Sequence, residues 1–470
     1  MGHRSRPRIH RRTFLRWSAG AAATIPLFGC ADDEALWAPR FRALPEDPSR
    51  FPLGVHAGAV AADGARLWTH APAGGPLVLR VWPDAAPDDV LPALEVDVQP
   101  SQAGYAAPRI TGLPAGEWWR YAFFDDSAQV RSAYGRFRSA FGPGQTGVVR
   151  VGATACTNFG RRPFPALART AAAGIDVFCH LGDLNYNDDQ FTLADYRRGY
   201  AENLDTADFR AVLGNAGSYF VWDDHEFFDN EGLYAPDVDV ARVAAGKQAW
   251  FECLAVEGRD VPEAGALGGN RVMWGSYRWG DAAEFFLLDS RLERDEAAGR
   301  YVSRAQLDWL KQALADSPAH FKILLNSVPI ADLPLIWGPG DRWTAFPEQR
   351  AELLDHMVTA QVGNVVFLAG DFHVGAVWRV AERGPHSAMW EILCGPGGSA
   401  PSKRLELAAR SDAIHDQFFP PGRIEHASGD HASTIIDFDA PADEIRVRFE
   451  RASDGALQYA ATLRCQEVEG

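Results

Sequence analysis

The chain has 470 residues, 47% hydrophobic and 23% charged, a globular composition long enough for one large domain and a small one. Its formal net charge is −16, and beyond Arg16 the balance is 40 basic residues against 62 acidic. A surface this acidic argues against a stable nucleic-acid partner held by a broad basic patch, but not against a small phosphate ester drawn to a site where cations reverse the local field.

The first 29 residues carry six arginines and no acid or lysine. Basic residues come first, then a short, weakly apolar, Ala-rich stretch, then small residues before Cys30. The stretch is too short and interrupted to span a bilayer comfortably, and residues 1–30 read as a cleavable export signal. "RRTFLR" (11–16) resembles the twin-arginine motif, an address read by a machinery that exports folded proteins. "LFGC" (27–30) resembles a lipoprotein cleavage box, which makes Cys30 the candidate lipidation site and membrane tether. The expected location is periplasmic or extracellular. Of the six cysteines none forms a CxxC pair, which removes zinc-ribbon and thioredoxin readings. If Cys30 is lipidated an odd number remains, and Cys156 is the one singled out for a separate role, with Cys179 a small buried hydrophobe.

A Pro- and Asp-rich linker follows over residues 31–50. From 51 to about 140 the pattern is one of short alternating runs, "ARLWTHAP", "LVLRVWP", "EWWRYAFFDD" and "YGRFRSA", broken by Gly, Pro and Asp. Period-two strands at short spacing predict a small β-sandwich. "FGPGQTG" marks its end, and the region 148–465 reads differently. "GVVRVGATAC", "IDVFCHLGDLNY", "SYFVWDDHE", "AEFFLLDSR", "FKILLNSVP" and "NVVFLAGDFH" are near-continuous apolar runs, the mark of strands buried on both faces. Helical segments lie between them: "PFPALARTAAA", "LADYRRGYAENL", "SRAQLDWLKQALAD" and "EQRAELLDHMVTA". Ser303 reads as an N-cap, with Gln306 completing a capping box. The alternation predicts an α/β domain built on one or two central sheets, and "STIIDFDA" with "EIRVRFERA" predicts a closing hairpin.

Polar residues gather where the apolar runs stop: Cys156; Asp183 and Tyr186; Asp223, Asp224 and His225; Asp289 and Arg291; Asn326; Asp371 and His373. Ligands of open α/β sheets bind outside the carboxyl ends of the strands, so these ends converge on one rim. Carboxylates packed together do not all ionise in a low dielectric unless cations compensate them. Asp183, behind the flexible Gly182, is placed to bridge two cations. Thiolate from Cys156 and phenolate from Tyr186 suit a metal such as iron, and the oxygen ligands Asp224, Asn230 and Asp371 suit a harder ion such as calcium or manganese. Two cations about 3.5–4 Å apart clamp a phosphoryl group and activate water for an in-line displacement.

In order along the chain, "FPLGVHAGAVAADGARLWTHAP", "ATACTN", "HLGDLNY", "YFVWDDHE", "LLDSR", "QLDWLKQAL", "NSVPI" and "LAGDFHVGAVW" resemble the successive blocks of the PhoD-type alkaline phosphatases and phosphodiesterases of the metallophosphoesterase superfamily. The resemblance runs from about residue 51 to the C-terminus. It implies an αββα metallophosphoesterase sandwich preceded by the small β-sandwich. It further implies that Cys156, Asp183, Tyr186 and His373 bind iron(III), that Asp183, Asn230 and Asp371 hold calcium with Asp224 close by or ligating, that Arg291 grips the phosphate, and that His225 lies near the leaving group or orients a ligand. Asp223 and Asn326 are candidate substrate-side residues. The family's two consecutive asparagines after DDHE are reduced here to Asn230, preceded by Asp229. The function implied is hydrolysis of phosphate monoesters or diesters. A phospholipase D-like diesterase and a non-catalytic surface protein with a relic site are the alternatives, separated by product analysis and by metal content.

Overall fold

The computed structural model describes residues 41–86, 91–229, 233–234, 236–333, 342–403, 411–418 and 423–465. The export segment, Cys30 and Asn230 lie outside the described residues. Among the described residues no helix is long and apolar enough to cross a membrane.

Two sheets make an αββα sandwich. The first is centred on the parallel strands Val148–Thr154, Val177–Leu181 and Gly217–Val221, and continues on the far side of Val148–Thr154 into the antiparallel strands Ala432–Asp439, Glu444–Arg451 and Leu457–Leu463. The expected closing hairpin is thus the inner part of a three-stranded edge. The second sheet holds Ala283–Leu287, Phe321–Leu325, Val365–Ala369 and Trp390–Leu393 in parallel, flanked by Gly275–Trp279 on one side and Gly375–Arg379 on the other. The near-continuous apolar runs follow from this layering. Phe285, Ile323, Leu325, Val366 and Leu368 face the core shared with the first sheet, while their neighbours Phe286, Leu324 and Phe367 pack with Leu307, Leu310, Leu353 and Met357 of the helices Arg304–Asp316 and Pro347–Thr359. Each strand is covered on both faces, so no polar alternation survives.

The segment read as an N-terminal sandwich shares a sheet with the rest. Val55–Ala61 pairs in parallel with Gly217–Val221, and Gly64–His70 pairs outside it. Leu77–Pro83, Leu94–Val98, Trp118–Asp125 and Gly135–Arg138 form a separate sheet. The seam between the two halves is fastened by His56, 1% exposed, whose ring stacks on Trp68 at 4.5 Å and whose Nε2 accepts the Ala255 N–H at 2.9 Å.

That acceptor role requires neutral imidazole, and burial holds His56 down at about 3. His180, also fully buried, is held at about 3 by the same cause. The folded values lie below the unfolded one of about 6.5, so this stability is complete above about pH 6.5 and is lost as pH falls towards 3. Each histidine is expected to cost about 1.4 kcal/mol per pH unit inside that window. His56→Gln still accepts from Ala255 but cannot titrate. Its unfolding free energy, measured in urea at pH 6 and 4.5, is expected to fall less steeply than that of the native chain by about one proton; parallel slopes would discount His56.

Candidate metal centre

The rim is assembled from loops that leave four central strands. Cys156 follows Val148–Thr154, Asp183 follows Val177–Leu181, Asp223 and Asp224 follow Gly217–Val221, and Asp371 and His373 follow Val365–Ala369. The first two loops are laced together, since Cys156 N–H donates to Gly182 O at 3.1 Å and Thr157 N–H to Asp183 O at 2.8 Å. Close approach sets the sequence here. A Cβ on Gly182 (φ 98°) would sit 2.6 Å from the Asp223 Cβ, and one on Gly370 would sit 2.5 Å from the Ala155 Cβ.

Cys156, Asp183, Asp371 and His373 all have positive φ, from 53° to 64°. Left-handed backbone is uncommon outside glycine and is held only where the surroundings over-determine it. Four such residues aim their side chains at one place. The ligand atoms of Cys156, Asp183 and His373 lie within 4.8 Å of one another, as do those of Asp183, Asp224 and His225, and of Asp223, Asp224 and Asp371. Asp183 and Asp224 each belong to two of these groups.

The remaining contacts orient the donors. Tyr186 OH lies 3.1 Å from His373 Nε2 and accepts from Ser399 Oγ at 2.7 Å. His373 Nδ1 is 2.6 Å from the Ala400 carbonyl, which can only accept, so Nδ1 carries the proton and Nε2 is left to ligate. His225 Nδ1 meets Asp188 Oδ1 at 2.6 Å, and its ring lies 4.3 Å from that of Tyr186. Arg291, 1% exposed, bonds Asp223 through Nε and reaches Asp224 and Asp371 through Nη2 at 3.4 Å each. Asp289 holds the turn that carries it, accepting Arg291 N–H, Leu292 N–H and the Trp222 indole at 2.9 Å each.

The electrostatics describe a cage short of positive charge. Burial pushes Asp183 well above the ordinary carboxylate range, with Asp224 and Asp223 reinforcing the shift against His225. Burial likewise raises the thiol of Cys156 and the phenol of Tyr186. Burial would lower His225, yet Asp183, Asp188 and Asp224 hold it up at about 11. Asp183 Oδ1 is buried without a hydrogen-bond partner, which costs free energy unless a cation takes it. Thiol, phenol, imidazole and carboxylates converging on that orphaned oxygen fit a metal pair.

Of the residues named from sequence, Cys156, Asp183, Tyr186, Asp223, Asp224, His225, Arg291, Asp371 and His373 meet on the rim. Asn326 is fully buried beneath it, accepting from Ser290 Oγ and donating to Val328 O, so its amide faces protein on both sides. Asp223 is also fully buried, bound to Arg291 and Ser327 Oγ. Sequence reasoning missed Glu226, Asp188 and the loop 395–400. The last left a signal: "GPGGS" behind the apolar strand Trp390–Leu393 is another strand end, and its N–H groups bind back to Ala155 and Cys156.

A family model described as PhoD-like phosphatase matches residues 151–447. Alkaline phosphatase D of Bacillus subtilis (strain 168) is 25% identical over 426 aligned positions, spanning 77% of this chain and 71% of that protein. The solved structure of PhoD superposes with a TM-score of 0.75 at 20% identity, over 89% of this chain and 91% of its own. Purple acid phosphatase PPD1 from yellow lupin (Lupinus luteus) seeds superposes with a TM-score of 0.61 at 14% identity, over 87% and 73%. These two structural likenesses speak to the fold, which is metallophosphoesterase-like.

Proposed function

The chain belongs to the PhoD-like phosphatases and is a hydrolase of phosphoric esters, and from that premise we propose that it is an exported enzyme cleaving phosphate monoesters, diesters or both at a dinuclear centre. The observation that carries the reading is Asp183: it is shared by two groups of ligand atoms, and one of its buried oxygens lacks a partner.

The family implies dependence on a divalent metal, and the rim suggests how a pair is divided. Cys156, Asp183, Tyr186 and His373 supply the thiol, phenol and imidazole suited to iron(III). Asp183, Asp224 and Asp371, with Asn230 as the residue added by the family resemblance, supply the oxygens suited to calcium or another hard divalent ion such as manganese. When bound, such a pair supplies Lewis acidity and lowers the pKa of water. The chain's own groups do the rest. Arg291 stands behind Asp224 and Asp371, where its positive charge favours a phosphoryl oxygen drawn to the rim. Asp188 fixes the ring of His225 through Nδ1, and on this reading the other ring nitrogen is the one available to a leaving ester oxygen. The twin-arginine-like segment supports export of the folded chain after metal loading, and Cys30 supports a membrane tether.

Protein exported by its natural route and purified without chelator is expected to carry iron together with calcium or another divalent ion. It is expected to hydrolyse p-nitrophenyl phosphate or bis-p-nitrophenyl phosphate at alkaline pH, and to lose that activity on chelation. Protein that carries no metal and cleaves neither ester would favour the non-catalytic alternative.

A further inference from the structure

Behind the ligands lies a carboxylate that none of the assigned roles uses. Glu226 is 0% exposed and receives three backbone N–H groups from two different loops. Asp183 N–H donates to its Oε2 at 2.9 Å, Asp223 N–H to the same oxygen at 2.6 Å, and Leu184 N–H to Oε1 at 2.6 Å. Its own backbone is seated by Asn187, whose Nδ2 donates to Glu226 O at 3.0 Å while Asn187 N–H donates to His225 O at 2.9 Å. The carboxylate therefore staples the turn that carries Asp183 to the turn that carries Asp223 and Asp224.

The staple falls where the backbone most needs holding. Asp183 sits at φ 55° and Gly182 at φ 98°, and the turn is pressed so closely on Asp223 that no side chain fits at residue 182. Two ligands that share cations must keep a fixed separation, and two ionised carboxylates, being acceptors only, cannot bond each other to hold it. A carboxyl group whose two oxygens together take N–H donors from both turns does that work.

We propose that Glu226 is the positioning residue of this centre: by clamping the Asp183–Leu184 and Asp223 backbones it sets the spacing at which Asp183 and Asp224 hold metal. The inference rests on the dinuclear reading above. Residues that orient metal ligands without touching the ion change metal affinity by roughly tenfold to a hundredfold when altered.

The chain provides its own control. Glu391 is also 0% exposed and accepts two backbone N–H groups and an indole, from Ile330 at 2.8 Å, Ala331 at 3.0 Å and Trp378 at 2.7 Å, in the second sheet and without a bond to the turns that carry Asp183 and Asp223. Glu226→Gln keeps shape but turns an amide N–H toward one of the donors, and Glu391→Gln does the same there. Manganese binding to the metal-stripped proteins is measured by equilibrium dialysis, with thermal melts of the same stripped samples. Glu226→Gln is expected to raise the half-saturating manganese concentration at least tenfold, and Glu391→Gln to leave it within twofold, whatever each does to the melting temperature. Where Glu226→Gln fails to fold, Glu226→Asp, which keeps the charge but is one methylene short of the donors, carries the same comparison. Native-like manganese affinity in the Glu226 variant, or an equal loss in the Glu391 variant, would overturn the proposal. A native protein that binds no manganese, calcium or iron would instead overturn the dinuclear reading.

Discussion

Asp183→Asn is expected to lower kcat/KM for p-nitrophenyl phosphate by about a thousandfold or more while leaving the metal-stripped protein as stable as the native chain, or more so. The two halves of this expectation have one cause. Asparagine is among the few residues that accept the left-handed backbone found at position 183, so the turn keeps its shape. In the stripped protein the change removes a buried anion from beside Asp223 and Asp224, which burial and repulsion already push towards the protonated form. What is lost there is the attraction of Asp183 for the His225 imidazolium, which burial of the Asp183 carboxylate outweighs, and the contact of Asp183 Oδ2 with the Cys156 thiol at 3.6 Å, which an amide oxygen can also accept. With metal present the sign is expected to reverse, because an amide replaces the carboxylate that would hold the metal. Ligand-induced stabilisation follows the affinity for the folded state, so added manganese should raise the melting temperature of the native protein and leave the variant nearly unmoved. Melting curves of both proteins with and without metal check the pair of claims. A variant that keeps native activity, or that collapses when stripped, would mean that Asp183 is a structural acid.

Much of this is legible in the sequence, and the reasons are local. A strand covered on both faces is a run of apolar residues that stops abruptly, so the polar residue after the run marks a strand end, and six such ends located the rim. Helices with one wet face were equally plain: "LADYRRGYAENL" is the helix Leu193–Leu204, residue for residue. The helix Val240–Cys253 leaves a fainter mark, because Val243, Gly246, Lys247, Ala249, Trp250, Phe251 and Cys253 are all buried and much of the wetter face is alanine, at Ala241, Ala244 and Ala245. The capping box at Ser303 was half right. Ser303 Oγ accepts the Gln306 N–H at 3.0 Å, but the Gln306 side chain turns away, accepting Asp289 N–H at 2.8 Å and donating to Asp289 O and Glu293. A tertiary demand, that of steadying the turn before Arg291, took a side chain that local pattern had assigned to the helix end. Glu226 escaped for the same kind of reason. Next to three other ionisable residues it reads as one more rim acid, and only the fold shows its carboxylate pointing inwards at backbone N–H groups. The pairing of Val55–Ala61 with Gly217–Val221 was hidden too, since strands more than 150 positions apart leave no periodic mark of their partnership.

Arg291 carries the second large expectation, and two substitutions separate its charge from its shape. Its guanidinium is fully buried among Asp223, Asp224 and Asp371, with Nε bound to Asp223 and Nη2 at 3.4 Å from each of the other two. Arg291→Met leaves those acids without that cation, and breaking a buried pair from one side costs about 3–5 kcal/mol. That loss should appear in urea unfolding of stripped protein and shrink when divalent metal is added, because the metal takes over part of the compensation. Activity should not recover in the same way. If Arg291 also steadies phosphoryl oxygens in the transition state, kcat stays down by about a hundredfold to a thousandfold even at saturating metal. Arg291→Lys keeps a charge but has no fork: an ammonium that stays on Asp223 cannot extend a second arm towards Asp224 and Asp371. It is expected to recover most of the stability and little of the kcat, whereas recovery of both together would reduce Arg291 to a counter-charge and leave the phosphate to the metals alone.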